Sequence, residues 1–402
     1  MTHPGIGANY TPRIGWFHSW ADLDPALVDE DMAQIAQLGL DHVRIFPLWP
    51  LLQPNRTLIS SRAVQDVLTV VDIAGRHGLA VSVDLLQGHL SSYDFLPAWV
   101  STWHRRNLFT DPLVLAAQQQ LARVLGTELA DRPHVSGMTL GNEIGQFAVS
   151  YHPDRHDTSD EQATAWTRDL LAVVDEVLPG RRNHHSFDDC LWFKDDHPFT
   201  PADAVLLGAS TTVHSWVFTG AGQALGEGHP GLALFGRYLT EVASAWNRAL
   251  GQADRKVWLQ EIGAPVPWVA PQDAAEFADA SVRTALGNPD VEAVTWWCSH
   301  DVHRDLADFP EVEYSLGLFD AEGRLKPIGE AYGAIARELR DGASAGAGAD
   351  ASPAASTAAP VVLEGMDRAG SDRSRLSPKG DIFRTWAEAA LDGEVSPLEI
   401  RF

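Results

Sequence analysis

The sequence has only two cysteines, Cys190 and Cys298, among its 402 residues. Neither lies in a spacing typical of metal ligands, and two cysteines cannot build a disulfide framework. Basic residues are also scarce, because 30 Lys and Arg stand against 54 Asp and Glu and give a formal net charge of −24. Nucleic acids and anionic membranes require a basic surface, so the charge excludes both as partners.

Long apolar runs are missing as well, and no transmembrane segment is predicted. Residues 1–5 lack the basic and apolar regions of a signal peptide, so we expect an intracellular, cytoplasmic protein. No Gly-x-Gly-x-x-Gly motif follows the first predicted strand, which disfavours a doubly wound dinucleotide-binding sheet. No Gly-x-Ser-x-Gly motif occurs either, which disfavours a Ser-His-Asp hydrolase.

Strand-like and helix-like segments alternate along most of the sequence. Eight such alternations over roughly 340 residues predict an α/β fold, a (β/α)₈ TIM barrel with elaborated βα loops. The predicted strands are Gly5–Tyr10, Asp41–Phe46, Leu79–Leu86, Val135–Leu140, Arg182–Phe187, Ala204–Val213, Lys256–Gln260 and Val291–Trp297. The predicted helices are Pro25–Leu38, Ser61–His77, Asp111–Ala130, Ser159–Leu178, Leu232–Leu250, Pro271–Leu286 and Pro327–Leu339.

The composition divides the chain into a barrel over residues 1–340, a linker over 341–360 and a C-terminal tail over 361–402. The linker is dominated by Ala, Gly, Ser and Pro, which predicts flexibility. In the tail, Asp381–Ala390 could form one short helix. That tail is either disordered, or it docks on the barrel or on a neighbouring subunit of a homo-oligomer through Ile382, Phe383 and Trp386.

Two apolar runs end abruptly in a glutamate. Met138–Leu140 precedes Asn142 and Glu143, and Val257–Leu259 leads to Glu261. The carboxyl ends of barrel strands meet at one mouth, so the two glutamates are expected to face each other there. Glycoside hydrolysis needs such a pair: one group protonates the leaving oxygen, and the other meets the positive charge that develops on the sugar carbon. The 14 tryptophans also fit a sugar-binding cleft.

With the motifs around them, these residues resemble retaining glycoside hydrolases of family 5, in clan A. The resemblance covers roughly Gly5–Leu339 and implies that Glu143 is the acid/base, that Glu261 is the nucleophile and that Asn142 binds the sugar 2-hydroxyl. Because carboxylates fill both chemical roles, no metal and no cofactor are expected. The other predicted substrate-binding residues are Arg44, Trp49, His89, Asp94, His214, Trp216, Trp296 and Trp297.

One position departs from the family pattern. Family 5 usually has a tyrosine two residues after the histidine of the sixth strand, where it hydrogen-bonds the nucleophile. In this sequence Trp216 follows His214 at that distance. Either another residue makes the contact, or the alignment is shifted.

Within the family, Gly7–Pro12, Gly15–Trp20, Phe46–Pro50 and Gly88–Phe95 resemble a subfamily of intracellular exo-acting β-mannosidases. This resemblance implies release of a terminal β-mannosyl unit from a small oligosaccharide, with Man-β-1,4-GlcNAc as a possible substrate. Bulky loop residues are expected to wall off one end of the cleft, namely Trp16, Trp20, Trp49, Trp99 and Trp103. An endo-β-1,4-mannanase or a β-glucosidase of the same family remains an alternative.

Two rivals come from other classes. A metal-dependent barrel hydrolase is suggested by 16 histidines, including the pairs His184–His185 and His300–His303. However, no His-x-His motif ends the first strand, and no ligand set of known spacing is complete. A non-catalytic sugar-binding barrel would need the two glutamates to be replaced, and both are present.

Overall fold

The computed structural model describes residues 3–103, 105–344 and 358–402. Its strands are β1 (Gly5–Asn9), β2 (His42–Ile45), β3 (Ala80–Asp84), β4 (His89–Leu90), β5 (Tyr93–Asp94), β6 (Val135–Thr139), β7 (Thr211–Ser215), β8 (Val257–Ile262), β9 (Val291–Trp296), β10 (Val361–Leu363) and β11 (Leu398–Ile400). Its α-helices are α1 (Pro25–Gln37), α2 (Trp49–Leu52), α3 (Ser61–Arg76), α4 (Pro112–Ala130), α5 (Asp160–Val177), α6 (Pro201–Leu206), α7 (Ala221–Leu225), α8 (Phe235–Ala249), α9 (Ala274–Leu286), α10 (Pro327–Ser344) and α11 (Asp381–Leu391).

Seven parallel strands form one sheet in the order β6-β3-β2-β1-β9-β8-β7. Residues 182–186 lie between its two outer strands. The Arg182 N–H donates to the Ser136 carbonyl of β6 at 2.8 Å. On the other side, the His185 imidazole lies 2.9 Å from the Thr212 hydroxyl of β7. This segment completes the ring of strands, and the predicted (β/α)₈ TIM barrel is confirmed.

Two predicted strands differ from the structure. The prediction Ala204–Val213 is wrong in its first part, because α6 ends only at Leu206 and β7 begins at Thr211. Thr200 and Asp203 form a capping box at the start of α6: each side chain accepts a hydrogen bond from the other residue's backbone N–H. Pro201 occupies the first helical position, which proline favours. The fifth predicted strand, Arg182–Phe187, pairs with β6 through one isolated parallel bridge, between His184 and Thr139, and does not form a regular strand.

Most helix predictions are confirmed closely. Asp111 caps α4 by accepting from two backbone N–H groups, as its place before Pro112 predicts. The hairpin of β4 and β5, which follows β3, was not predicted. No helix within the described ranges has both the length and the apolarity to cross a membrane.

The last barrel helix, α10, runs to Ser344 and therefore into the predicted linker over 341–360. Residues 345–357 of that linker lie outside the described part of the chain. In the tail, β10 and β11 pair in parallel.

Helix α11 packs on the barrel helix α8 of the same chain. Phe383 and Trp386 are both buried, and their rings lie 5.0 and 5.3 Å from the Tyr238 ring of α8. The Tyr238 hydroxyl donates to the Leu376 carbonyl at 2.9 Å. The apolar residues of the tail thus cover one side of the barrel.

Candidate active site

Glu143 lies just beyond the end of β6, in a turn with unusual backbone angles. Gly141 has a φ of +156°, and Glu143 itself has a φ of +45°. The left-handed region costs a residue with a Cβ about 1 kcal/mol or more, and such strain is typical of functional sites. The Glu143 N–H donates to the Ser186 carbonyl at 2.8 Å, and its side chain is 14% exposed.

Glu261 lies on β8 with its carboxylate only 3% exposed. One oxygen accepts from Arg44 Nη1 at 3.1 Å, and the other accepts from the Trp216 indole N–H at 3.0 Å. The contact that family 5 usually makes with a tyrosine is therefore made by Trp216 itself. The carboxylate is held in one orientation from two sides.

Arg44 on β2 is the centre of the polar network in the barrel mouth. Its fully buried guanidinium forms a bidentate pair with Asp84, at 2.9 and 2.8 Å. Its Nη2 also donates to Asn142 Oδ1 at 2.8 Å and to Ser186 Oγ at 2.7 Å. A buried cation requires such partners, and in this site they fix the predicted sugar-binding amide.

His214 on β7 stands between the two glutamates. Its Nδ1 lies 2.7 Å from Glu143 Oε1 and 3.4 Å from Glu261 Oε2. Its Nε2 lies 3.1 Å from Gln260 Oε1 and 3.3 Å from the Ser186 hydroxyl. The structure thus brings six of the predicted residues into one hydrogen-bonded cluster, namely Arg44, Asn142, Glu143, His214, Trp216 and Glu261.

One carboxylate oxygen of Glu143, one imidazole nitrogen of His214 and one carboxylate oxygen of Glu261 all lie within 4.8 Å of one another. The protonation of each group therefore affects the pKa of the other two. Burial raises the pKa of Glu143, but the hydrogen bond and charge of His214 outweigh it and lower that pKa. Burial raises the pKa of Glu261, and His214 and Arg44 offset only part of the increase. Burial lowers the pKa of His214, yet the two carboxylates raise it above its ordinary value.

Trp297 provides the aromatic surface of the site. It follows β9, is buried, and lies edge to face with Phe46 at 5.5 Å and with Trp216 at 6.5 Å. A further edge-to-face contact, at 6.1 Å, joins it to Trp16. Trp297 thus adjoins the cluster through Trp216, which bonds Glu261, and the apolar face of a sugar ring can stack on such an indole.

Two predicted binding residues lie away from this cluster. Trp296 points to the outer side of the barrel, where it packs on Tyr332 of α10 and donates to the Leu316 carbonyl at 2.9 Å. Trp49 is fully buried, and its indole donates to Gln53 at 3.0 Å. Trp296 faces outward because neighbouring strand residues face opposite sides of a sheet, whereas Trp49 lies on α2. Both tryptophans make packing contacts in this structure, and their role in sugar binding stays a prediction.

His89 and Asp94 lie on the β4–β5 hairpin and form a second cluster with His152. The two imidazoles contact different oxygens of Asp94, His89 at 3.0 Å and His152 at 3.2 Å. Burial opposes a charge on His89, but the Asp94 hydrogen bond and the Glu143 charge overcome it and raise the pKa of His89. Two imidazoles and one carboxylate could hold a metal ion, and the same geometry forms a hydrogen-bonded triad.

The histidines behind the metal-dependent alternative do not converge. His184 contacts the Ser210 hydroxyl at 2.8 Å, and His185 donates to the Ala204 carbonyl at 2.9 Å. His300 is buried elsewhere in the barrel, and burial lowers its pKa to about 3. Among the described residues, neither pair belongs to a group of three close metal-ligating side chains.

Asp84 and Ser186 belong to the site but were not predicted from the sequence. Asp84 ends the apolar strand β3, as Glu143 and Glu261 follow theirs, so the same signal could have identified it. Ser186 lies in the segment that lacks regular strand pairing, and no sequence signal marks it.

Glu313, in the loop after β9, is a further residue that was not predicted. It accepts a hydrogen bond from the Ser91 hydroxyl at 2.9 Å. Burial and the charges of Glu261 and Glu143 raise the pKa of Glu313 to about 7. Hydrogen bonds from Ser91 and Trp297 lower this pKa but offset only part of the increase. It ties the β4–β5 hairpin to the aromatic surface of the site.

Asp188 and Asp189 follow the segment that completes the barrel, and both are buried. Burial and the nearby charge of Glu143 raise the pKa of Asp188 to about 8. Burial raises the pKa of Asp189 to about 7, against a hydrogen bond from Thr219. Protonation of these carboxyls near neutral pH limits the negative charge around Glu143.

No protein-family model matches the sequence, and no curated protein matches it. Solved structures do. The GH5_18 structure from Streptomyces cattleya in complex with Manβ1-4GlcNAc is 47% identical, with a TM-score of 0.91, covering 99% of this chain and 94% of that one. The GH5_18 structure from Bifidobacterium longum subsp. infantis is 43% identical, with a TM-score of 0.92, covering 100% and 92%.

A more distant structure shares the fold. The exo-β-1,4-mannosidase Op5Man5 from Opitutaceae bacterium strain TAV5 is 23% identical, with a TM-score of 0.77, covering 99% of this chain and 69% of that one. At 41–47% identity over nearly the whole chain, the GH5_18 structures show the family. The chain therefore belongs to glycoside hydrolase family 5, as a GH5_18 member.

Proposed function

We propose that the protein is a retaining exo-β-mannosidase that releases terminal β-mannose from short oligosaccharides such as Man-β-1,4-GlcNAc. The observation that carries the retaining mechanism is the separation of the two glutamates, whose nearest oxygens lie within 4.8 Å. Retaining enzymes hold their carboxyl groups about 5–5.5 Å apart, whereas inverting enzymes leave about 6.5–9.5 Å for a water molecule.

In the proposed first step, a Glu261 oxygen attacks the anomeric carbon while Glu143 gives its proton to the departing oxygen. The bond to the leaving sugar breaks, and an ester forms between mannose and Glu261. In the second step, Glu143 takes a proton from water, whose oxygen attacks the anomeric carbon and releases Glu261. Arg44 and Trp216 hold the attacking carboxylate in place, and His214 shares a proton with Glu143.

The substrate class is inferred from the structures of related GH5_18 proteins. Structures of two GH5_18 proteins, from Streptomyces cattleya and from Bifidobacterium longum subsp. longum, contain Manβ1-4GlcNAc. They share 47% and 41% of their residues with this chain. We infer the same class of β-mannoside as the substrate, with Asn142 near the 2-hydroxyl, the position at which mannose differs from glucose.

The exo mode is supported by three loops that meet behind Trp297. Trp16, from the loop after β1, contacts Trp297 on one side and Phe309 at 5.2 Å on the other. Phe309, from the loop after β9, lies 5.0 Å from Tyr93 of the hairpin. The Tyr93 hydroxyl donates to the Ala307 carbonyl at 3.1 Å. Glu143 must face the leaving group. The closed end therefore lies on the opposite side, around the terminal mannose.

The wall differs in part from the sequence prediction. Trp16 belongs to it, whereas Trp49 and Trp99 pack against each other at 5.7 Å. Trp103 is fully exposed. We propose that hairpin and loop residues close the pocket together with Trp16, and the part of Trp20, Trp49 and Trp99 stays a prediction.

Product analysis tests the exo mode. With β-1,4-mannohexaose and with Man-β-1,4-GlcNAc, we expect mannose as the first product, because a closed pocket accepts only a chain end. Early mannobiose and mannotriose would instead reveal an open cleft and an endo-mannanase. An aryl β-glucoside assayed beside the aryl β-mannoside distinguishes a β-glucosidase.

Trp216→Phe tests the indole hydrogen bond to Glu261. That bond favours the ionised carboxylate, so its loss raises the pKa of Glu261. The acidic limb of kcat/KM is therefore expected to move to higher pH. A hydrogen bond to a charged group contributes about 1.5–3 kcal/mol, so kcat/KM at neutral pH should fall about 10- to 100-fold.

Two variants accompany that measurement. Phe218→Leu disturbs the ring stacked on Trp216 at 5.2 Å but removes no hydrogen bond, and it should leave the acidic limb in place. Trp216→Tyr restores a donor of the type usual in family 5 and should recover part of the loss. An unchanged acidic limb in Trp216→Phe would contradict the proposed contact.

Chelation tests the metal-free mechanism. Because Glu143 and Glu261 fill both chemical roles, EDTA is expected to leave the hydrolysis of p-nitrophenyl glycosides unchanged. Loss of activity on EDTA treatment, reversed by zinc, would instead favour the metal-dependent alternative and direct attention to His89, Asp94 and His152. We further propose that the enzyme works in the cytoplasm on imported oligosaccharides, which cell fractionation can test.

A further inference from the structure

The C-terminal segment makes polar contacts with a loop at the barrel mouth. Arg373 is only 1% exposed, although it lies in the tail. Its Nε donates to the Lys194 carbonyl at 2.6 Å, and its Nη2 donates to the His197 carbonyl. The next residue, Ser374, donates its N–H and its hydroxyl to the two oxygens of Asp195, at 2.8 and 2.6 Å. Four hydrogen bonds thus hold one short stretch of the mouth loop 188–197.

The same loop packs behind the turn that carries Glu143. A Cβ on Gly145, two residues after Glu143, would lie 3.3 Å from the His197 ring, so ring and turn are in direct contact. The His197 Nε2 lies 3.6 Å from a carboxylate oxygen of Asp188. Movement of His197 would therefore reach both the turn and the buried carboxyl beside Glu143.

Further contacts join the loop to the residues that follow this turn. The Ser150 hydroxyl donates to Asp196 at 3.0 Å. The Lys194 ammonium lies 3.8 Å from the centre of the Tyr151 ring. These contacts link the two loops, and the tail holds one of them.

A second tail contact reaches the loop after β7. Pro378 approaches Gly220 so closely that a Cβ on that glycine would lie 2.6 Å from the proline ring. The neighbouring Thr219 donates its hydroxyl to Asp189 of the 188–197 loop. The tail thus supports the loops that follow the fifth and the sixth strand positions of the barrel.

We propose that Arg373 is a positioning residue that fixes the acid/base Glu143 through the 188–197 loop, so that the C-terminal segment is part of the catalytic architecture. This role rests on the proposed function of Glu143. Glu143 occupies a strained backbone conformation, which persists only where surrounding contacts enforce it. A misplacement of 1 Å can cost about 100-fold in rate, so a lost anchor should be measurable at the proton transfer.

The test compares leaving groups. In Arg373→Ala, kcat/KM for Man-β-1,4-GlcNAc, whose leaving oxygen needs protonation, is expected to fall about 10- to 100-fold. For 2,4-dinitrophenyl β-mannoside, which departs without acid help, it should change less than about threefold. Arg373→Lys, which retains one donor, should give an intermediate loss. Arg375→Ala is the matched control, because Arg375 is exposed and its side-chain partners among the described residues all belong to the tail.

An equal loss on both substrates would show a general loss of folded enzyme and overturn the positioning role, as would unchanged activity on both. If Arg373→Ala does not fold, Ser374→Ala, which removes one of the four hydrogen bonds, should show the same selective loss at smaller size. A wild-type protein that cleaves neither mannoside would contradict the proposed function itself, which distinguishes the two failures.

Discussion

Glu261→Gln is expected to lower kcat on an aryl β-mannoside by at least about 10⁴-fold, because an amide of the same size cannot form the glycosyl ester. Arg44 and Trp216 donate to different oxygens of Glu261, so one of them would still donate to the remaining carbonyl oxygen, and the fold should survive. The measurement is steady-state turnover, with circular dichroism and thermal unfolding to establish that the variant is folded.

The matched control is Glu241→Gln. Glu241 is also a buried carboxylate paired with an arginine, Arg237 of the same helix, at 2.9 Å. Its replacement removes a buried charge without touching the site, so stability should fall while kcat persists. Near-normal turnover in a folded Glu261→Gln protein would exclude Glu261 as the nucleophile.

Glu143→Ala is expected to separate substrates by their leaving groups. For Man-β-1,4-GlcNAc the loss in kcat/KM should reach about 10²–10⁴-fold, the usual contribution of a general acid. For 2,4-dinitrophenyl β-mannoside the loss should be small, because its phenolate leaves unassisted. Water then attacks the glycosyl ester without its base, so kcat falls and the ester accumulates.

Azide should relieve that block, because it attacks the ester without needing a general base. The product expected from two inversions is β-mannosyl azide, which NMR identifies. An α-azide would show a single displacement and contradict retention. The same addition should have little effect on the wild-type enzyme, in which Glu143 is proposed to activate water.

The parts of the site that follow from strand ends could be predicted from the sequence. Glu143 and Glu261 both follow apolar runs. The carboxyl ends of parallel barrel strands meet at one mouth regardless of the conformation of the loops. The side-chain alternation of β9 could also have chosen between the two tryptophans. Thr295 faces the interior, where it accepts from Trp258, so Trp296 must face outward and Trp297 inward.

The contacts of Arg373 could not be predicted in the same way. A charged residue in a tail usually lies in solvent, and nothing in its neighbours signals burial. Its partners are backbone carbonyls from a loop 176 and 179 residues away, and a carbonyl leaves no mark in the sequence. Likewise, β10 and β11 have only three residues each, too few for a periodic pattern.

The proposed closed end behind Trp297 determines the order in which the products leave the pocket. Tyr93 is bonded to Ala307 and Ser91 to Glu313, so we expect the proposed pocket to open on the Glu143 side. The leaving sugar departs through that opening, water enters by it, and mannose must follow the same route. Crowding of the entrance by free GlcNAc would therefore delay mannose release and offer the glycosyl ester an alcohol in place of water, which turns hydrolysis toward synthesis.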